Sequence, residues 1–274
     1  MDKKRVGFQG EPGAYSEEAI YQHFGEGAEA VPLKIVADVF ERVSGGEVDF
    51  GMIPVENSIG GNVYESYDRL ISSDLSVVAE VYLRVHHCLI ANRGTELSMV
   101  KRVYSHPQAL EQCRNFISGL GSEMASTFDT AGSARMIRDS GSMDAAAIAS
   151  VRAADIYGLN VLRRNVEDSP NNITRFLVIS RSPVSPSGEC KTSIVFQVPH
   201  RPGRLHDAMG IFARHGINLT KIESRPTRER PWEYYFLIDF EASSSDPETA
   251  AALGELAGRA TFLRVIGSYP RGTF

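Results

Sequence analysis

The sequence predicts an α/β protein in two parts, a larger two-lobed part followed by a smaller βαββαβ module. Three observations predict it. Strand-like and helix-like segments alternate through the first two-thirds of the 274 residues, as in layered folds with mainly parallel sheets. A Pro/Ser-rich stretch, Arg181-Ser182-Pro183-Val184-Ser185-Pro186-Ser187-Gly188, reads as a linker. Beyond it the periodicity changes, and the total length suits about two domains.

The elements follow in order. Val6 to Gln9 is a strand, and Tyr15 to Phe24 a helix capped near Ser16. Val39 to Val43 is helical. Phe50 to Val55 is an apolar strand that Pro54 marks as near its end. Val63 to Ile71 returns to helical spacing. Val77 to Ala91 is β-rich and long enough to carry the chain out of a first lobe. Strands at Arg102 to Ser105, Met124 to Phe128 and Ala145 to Ala149 then alternate with helices at Gln108 to Leu120, Ala131 to Asp139 and Val151 to Tyr157. The chain returns through Val161 to Ile179. Two crossings imply two lobes, roughly 1–80 with 164–181 and 81–163, and a cleft between them. After the linker at 182–190, residues 191–274 hold strands at Thr192 to Val198, Leu219 to Ser224, Trp232 to Phe240 and Thr261 to Tyr269. Helices at Leu205 to His215 and Glu248 to Leu256 complete a ferredoxin-like order.

Composition narrows the function. Hydrophobic content of 42% and charged content of 23% are those of a globular protein in water. A net charge of −5 argues against a general nucleic-acid binder. Cys88, Cys113 and Cys190 are widely spaced, with no CxxC pair, so zinc and dithiol chemistry have no support and a reducing, cytoplasmic setting fits. No apolar run approaches a membrane span, and the basic start, Met1-Asp2-Lys3-Lys4-Arg5, leads into no signal-peptide core.

Four segments are candidates for chemistry. Thr174-Arg175-Phe176 sits in an apolar run, Ile173 to Ile179. On a strand, Thr174 and Phe176 share one face and Arg175 takes the other. Either this is an edge strand with a solvated arginine, or it presents a hydroxyl to a site. Pro54-Val55-Glu56-Asn57-Ser58-Ile59-Gly60-Gly61-Asn62 lies between strand and helix, where α/β folds bind ligands. It supplies an acceptor, an amide and a hydroxyl in succession, with glycines for close approach, and reads equally as a capped turn. Tyr104-Ser105-His106-Pro107-Gln108 repeats that design, with Pro107 at a helix start and Gln112 two turns beyond Ser105, though by themselves these residues fit a plain serine cap and a solvated glutamine better. The Gly10 to Tyr15 loop lacks the P-loop lysine and the full dinucleotide fingerprint. His86-His87 is no metal pair, because adjacent residues of a strand face opposite ways. Core or surface histidines fit better.

Together these segments, with Gly7-Phe8-Gln9-Gly10-Glu11-Pro12-Gly13-Ala14-Tyr15-Ser16, resemble the prephenate dehydratase family. Its members convert prephenate to phenylpyruvate on the way to phenylalanine. The resemblance runs the whole chain. The C-terminal part is similar to the family's ACT regulatory module, with Pro202-Gly203 opening a helix and Glu223-Ser224-Arg225-Pro226 on its second strand. No chorismate mutase helix precedes the motifs, as in monofunctional members. The resemblance implies a catalytic domain like periplasmic binding proteins, a cleft active site and an essential threonine at Thr174. It implies substrate contacts at Glu56, Asn57, Ser58, Ser105, Gln112, Arg175 and Phe176, and no cofactor or metal. It implies L-phenylalanine as effector, near Gly203, Arg204, Leu205, His206, Asn218, Leu219, Glu223 and Ser224. Arg204 departs from the family's Gly-Ala-Leu pattern, placing a long cation where a small residue is usual. A homo-oligomer, dimer or tetramer, follows from symmetric pairing of such modules.

On this reading Thr174 assists the departing hydroxyl, while Asn57, Ser105 and Gln112 position the substrate. Arg175 either clamps a carboxylate or braces the loop bearing Glu56. Two rivals remain: action on arogenate, the amino analogue of prephenate, and a non-enzymatic amino-acid sensor of the same shape.

Overall fold

The computed structural model describes residues 3–273. By packing, these divide into two units, one of residues up to Tyr64 with Val81–Phe176, the other of Glu65–Glu80 with Leu177–Thr273.

The first lobe opens with β1 (Arg5–Gln9), α1 (Tyr15–Phe24), β2 (Glu29–Leu33) and α2 (Val36–Ser44). Helix α2 buries Val36, Val39, Phe40 and Val43, one apolar stripe at helical spacing. Helix α1 is capped at Ala14 without a side-chain bond, and Ser16 lies inside it, so the cap expected at Ser16 is absent. Strand β2 escaped the sequence pattern because Pro32 interrupts it. It lies at the edge of its sheet, where proline is tolerated. Next come β3 (Phe50–Asn57), β4 (Gly61–Asn62) and α3 (Tyr64–Ser72). Strand β3 runs through Pro54 to Asn57 and turns back on β4, pairing Glu56 with Asn62 and Asn57 with Gly61. The expected strand-to-helix loop is thus mostly strand and hairpin.

The chain crosses on β5 (Ser76–Arg84) and β6 (Cys88–Ala91). The second lobe adds β7 (Arg102–Ser105), α4 (Pro107–Gln112), α5 (Arg114–Leu120), β8 (Glu123–Ser126), α6 (Thr130–Ser140), β9 (Ala145–Ala149), α7 (Val151–Tyr157) and β10 (Asn160–Arg163). The single helix expected over Gln108 to Leu120 breaks at Cys113 (φ −116°). Strand β9 is central in the order β10-β6-β9-β7-β8. Its Ala145, Ala147 and Ala149 face α6 and α7, and its Ala146 and Ile148 face α4 and α5. Small side chains on both faces let two helix layers close on one strand. The sheet is mixed, with β10–β6 and β6–β9 antiparallel, against the mainly parallel expectation. Strand β11 (Ile173–Ser180) returns to the first sheet, whose order is β2-β1-β3-β11-β5.

The module comprises β12 (Cys190–Gln197), α8 (Arg204–Arg214), β13 (Leu219–Pro226), β14 (Tyr234–Phe240), α9 (Pro247–Ala257) and β15 (Phe262–Pro270). The antiparallel order β13-β14-β12-β15 is ferredoxin-like, as expected. Both helices pack on one face through Ile194, Phe196, Ile211, Phe212, Ile238, Phe240 and Leu256. Residues 65–80, expected with the first lobe, belong to this unit. Arg225 makes a fork to Asp68 (2.8 and 3.0 Å), Arg228 reaches the same carboxylate (2.7 Å), and Lys191 pairs with buried Glu80 at 3.1 Å. Arg264 caps α3 by donating to the carbonyls of Leu70 and Ser73.

Candidate active site

A cavity of about 320 Å³ opens between the lobes. Gln9, Tyr15, Asn57, Thr174 and Phe176 line it from one side, His106, Gln108, Gln112 and Asp129 from the other, with His87 at the crossing. Two larger depressions, of about 620 and 660 Å³, lie elsewhere and hold none of the expected site residues.

The hairpin builds the floor. Asn57 Oδ1 accepts from the backbone N–H of Gly60 (2.7 Å) and Ile59 (3.1 Å). That leaves Asn57 Nδ2 to donate to Thr174 Oγ1 (3.0 Å) and Asn172 Oδ1 (2.7 Å). Ser58 Oγ accepts from Ile173 N (2.9 Å) and donates to the Asn171 carbonyl (2.6 Å), tying the hairpin to the start of β11. Gly60 has no Cβ, and one there would overlap Gln108 Nε2. Gln108 and Gln112 each direct an amide N–H toward Asn57 Oδ1 at 3.4 Å.

The alternation expected of β11 holds. Thr174 and Phe176 line the cavity, and buried Arg175 does not. Glu56 alternates away from Asn57 and is also absent from the wall. Ser58 supports the wall without lining it. Ser105 overturns an expectation: it is fully buried, and its hydroxyl donates to the Ile148 carbonyl (2.7 Å). Strand β7 turns that side chain toward β9, so the structure does not bring it to Gln112. Of the seven expected substrate contacts, Asn57, Gln112 and Phe176 line the cavity with Thr174.

Sequence reading missed Tyr15, His87, Gln108 and Asn172. Tyr15 Oη lies 2.8 Å from His87 Nδ1, His87 Nε2 lies 2.9 Å from Gln112 Oε1, and Asn172 Nδ2 donates to Gln112 Oε1 (2.9 Å). Burial, above all, pushes the His87 pKa down, and burial pushes the Tyr15 hydroxyl well up. His86 points outward to Glu167 at 2.9 Å. The opposite facing of the two histidines was the available signal: it favoured core or surface histidines over a metal pair, but it does not by itself say which of the two meets the site. Among the described residues no cluster of His, Cys, Asp and Glu could hold a metal ion, and no helix is long and apolar enough to cross a membrane.

A family model described as prephenate dehydratase matches residues 6–184, and one described as ACT domain matches residues 192–258. The chain belongs to the prephenate dehydratase family. An Arabidopsis thaliana protein named arogenate dehydratase/prephenate dehydratase 1, chloroplastic, is 45% identical, the match covering 98% of this chain and 72% of that protein. The prephenate dehydratase of Arthrobacter aurescens in complex with L-Phe is 33% identical with a TM-score of 0.91, over 97% of this chain and 90% of that one. A structure described as GqqA, a novel type of quorum quenching acylases, is 37% identical with the same TM-score, over 97% and 98%.

In this prephenate dehydratase family member the expected effector residues are spread over the start of α8 and over Asn218 to Ser224, at and along β13. Gly203, at φ 82°, precedes α8, and Arg204 and Leu205 line a cavity of about 100 Å³ with Glu233 and Tyr234. Arg204 lies 3.8 Å from Asp207, and the His206 side chain is exposed beside the same residue. Asn218 Nδ2 donates to Glu241 (2.7 Å), and Leu219 packs on the module core. Glu223 and Ser224 lie on edge strand β13, paired with Leu237 and Phe236.

Proposed function

We propose that this chain catalyses the decarboxylating dehydration of prephenate to phenylpyruvate, water and CO2, under inhibition by L-phenylalanine. The ring carboxylate leaves as CO2, its bonding pair enters the ring, and the C4–O bond breaks. The departing hydroxide takes up a proton and leaves as water. Aromatisation supplies the driving force, so the protein's task is to orient a dianion and ease a poor leaving group away.

One observation carries the reading. Asn57 donates to Thr174 Oγ1 at 3.0 Å, so the threonine's own hydrogen remains for an acceptor in the cavity. A hydroxyl polarised this way is a donor to an oxygen gaining negative charge. It is poorly arranged as a nucleophile, which needs a base to take its proton. Asn57, Gln108 and Gln112 supply neutral donors around it.

Arogenate is the second reading, favoured by the name of the 45% identical relative. The arrangement proposed is a catalytic part at 1–181, a linker at 182–190 and an effector-sensing part at 191–274, working in the cytoplasm as a homo-oligomer joined through its modules. Half-exposed Ile222 on edge strand β13 supports such pairing. Purified protein with prephenate or arogenate, followed by phenylpyruvate or phenylalanine release with and without added L-phenylalanine, tests the reading. Turnover of neither substrate rejects it and leaves the amino-acid sensor.

A further inference from the structure

The amide groups of the cavity wall have one self-consistent polarity, and it starts at the backbone. Side-chain amides can be turned end for end, but a peptide N–H cannot. Gly60 N and Ile59 N both donate to one terminal atom of Asn57, which must therefore be its oxygen. Asn57 Nδ2 then donates to Asn172, 2.7 Å away, so the facing atom of Asn172 is its oxygen. The other end of Asn172 is a donor, and it meets Gln112 at 2.9 Å. The Gln112 atom at that contact is consequently its oxygen, and the same atom faces His87 Nε2 at 2.9 Å. An amide oxygen cannot donate, so Nε2 must carry a proton.

We infer that His87 is a positioning residue, held as the Nε2–H tautomer by the Tyr15 hydroxyl, and that it makes Gln112 present its amide N–H groups rather than its carbonyl to an anionic group of the substrate. Tyr15 completes the assignment. Its single proton goes to His87 Nδ1 at 2.8 Å, with the His86 carbonyl at 2.9 Å as the alternative acceptor. Burial disfavours the imidazolium, so Nδ1 is free to accept. With Oε1 occupied by His87 and Asn172, the Gln112 nitrogen faces Asn57 Oδ1 and the cavity. Without the imidazole donor, Gln112 loses half of what holds its oxygen away from the substrate. The inference rests on the proposed activity for its substrate, but the tautomer does not.

Two measurements on the full chain decide it. In ¹⁵N-histidine-labelled wild-type protein near neutral pH, with His87 assigned by through-bond correlation to its own backbone amide, Nε2 should show a protonated pyrrole-type shift and Nδ1 a pyridine-type shift. A neutral Nδ1–H tautomer, or an imidazolium, overturns the inference. In kinetics with prephenate, His87→Asn puts its amide at the Tyr15 end and leaves Gln112 without its donor. KM should rise about 10- to 100-fold, the worth of a hydrogen bond to a charged group, with a smaller fall in kcat. His87→Gln puts an amide N–H near the Nε2 position and should recover at least about tenfold of that loss. Equal KM values for the two variants, both folded, also overturn it. Wild-type protein that turns over no prephenate defeats the functional reading alone, because the NMR result still fixes the tautomer. If neither variant folds, the wild-type spectrum decides by itself.

Discussion

Replacing Thr174 with valine removes the hydroxyl and keeps the side-chain shape. Asn57 Nδ2 has two hydrogens and would keep two acceptors, Asn172 Oδ1 at 2.7 Å and the Ile173 carbonyl at 3.4 Å. No buried donor is therefore stranded, and the cost in stability should stay below about 1 kcal/mol. For a chain of this size that is a Tm change of about 2–4 °C or less. The effect on rate should be far larger. A donor aimed at an oxygen that develops charge only as the C–O bond breaks is worth about 10²–10³ in kcat. KM should barely move, because the ground-state hydroxyl needs little from it. Phenylpyruvate release measured by absorbance in alkali, beside a thermal melt, separates the two effects. Thr174→Ser, which restores an oxygen without the methyl, should lie between valine and wild type. If Thr174→Val turns over within about fivefold of wild type, Thr174 is not the donor.

Four further outcomes follow from named contacts. Gly60→Ala should displace Gln108, whose flexible end occupies the space a Cβ would take; we expect KM to rise about tenfold with little change in melting. Gly13→Ala should instead damage the fold, since the backbone holds φ at 91° and a Cβ would lie 2.6 Å from Ala153 Cα. The combined strain and overlap should cost about 2–5 kcal/mol, read from the urea midpoint. Asp68 is held below the usual carboxylate range, first by its hydrogen bond from Arg225. Its contribution is present above the unfolded carboxyl pKa of about 4 and is lost as pH falls through the lower folded value. Asp68→Asn should thus cost about 1–2 kcal/mol near pH 7, discounted because the side chain is 28% exposed, and progressively less below about pH 4; an equal cost at pH 7 and pH 3 would contradict this. Saturating L-phenylalanine at about 100 times its Kd should stabilise the protein by about 2.7 kcal/mol, visible as a higher Tm.

Local pattern was enough for most elements and failed where direction or distance in sequence decided. Alternation along β11 correctly separated Thr174 and Phe176 from Arg175, because a strand's side chains know only two directions. The same reasoning did not reach Ser105, whose direction depends on β7 lying beside β9, some forty residues away. Its hydroxyl is spent on the Ile148 carbonyl. Pro32 and Pro54 each suppressed strand residues that tertiary pairing restored, one on a sheet edge and one in a strand continuing into a hairpin. The attachment of residues 65–80 to the C-terminal module was invisible for a similar reason. It rests on Arg225 meeting Asp68 across 157 positions and on Lys191 meeting Glu80 across 111. Removing residues 191–274 would therefore strip Asp68 and Glu80 of their cations, so lost activity in such a fragment would not distinguish lost regulation from lost fold.

Gly60 links the parts of the site that residue types alone do not connect. Its missing Cβ admits Gln108, and its N–H orients Asn57, which in turn leaves the Thr174 hydrogen for the substrate. The same N–H, passed through Asn57, Asn172 and Gln112, sets which nitrogen of His87 must be protonated. A carboxylate in place of any of these three amides would break the sequence of donors and acceptors at that point, while preserving size and hydrophilicity. Asn57→Asp should therefore be more damaging than its volume suggests, because ionised aspartate has no hydrogen for Thr174 Oγ1. Thr174 would then turn its own proton onto that carboxylate, and the cavity would lose its donor and gain a negative charge facing a dianion.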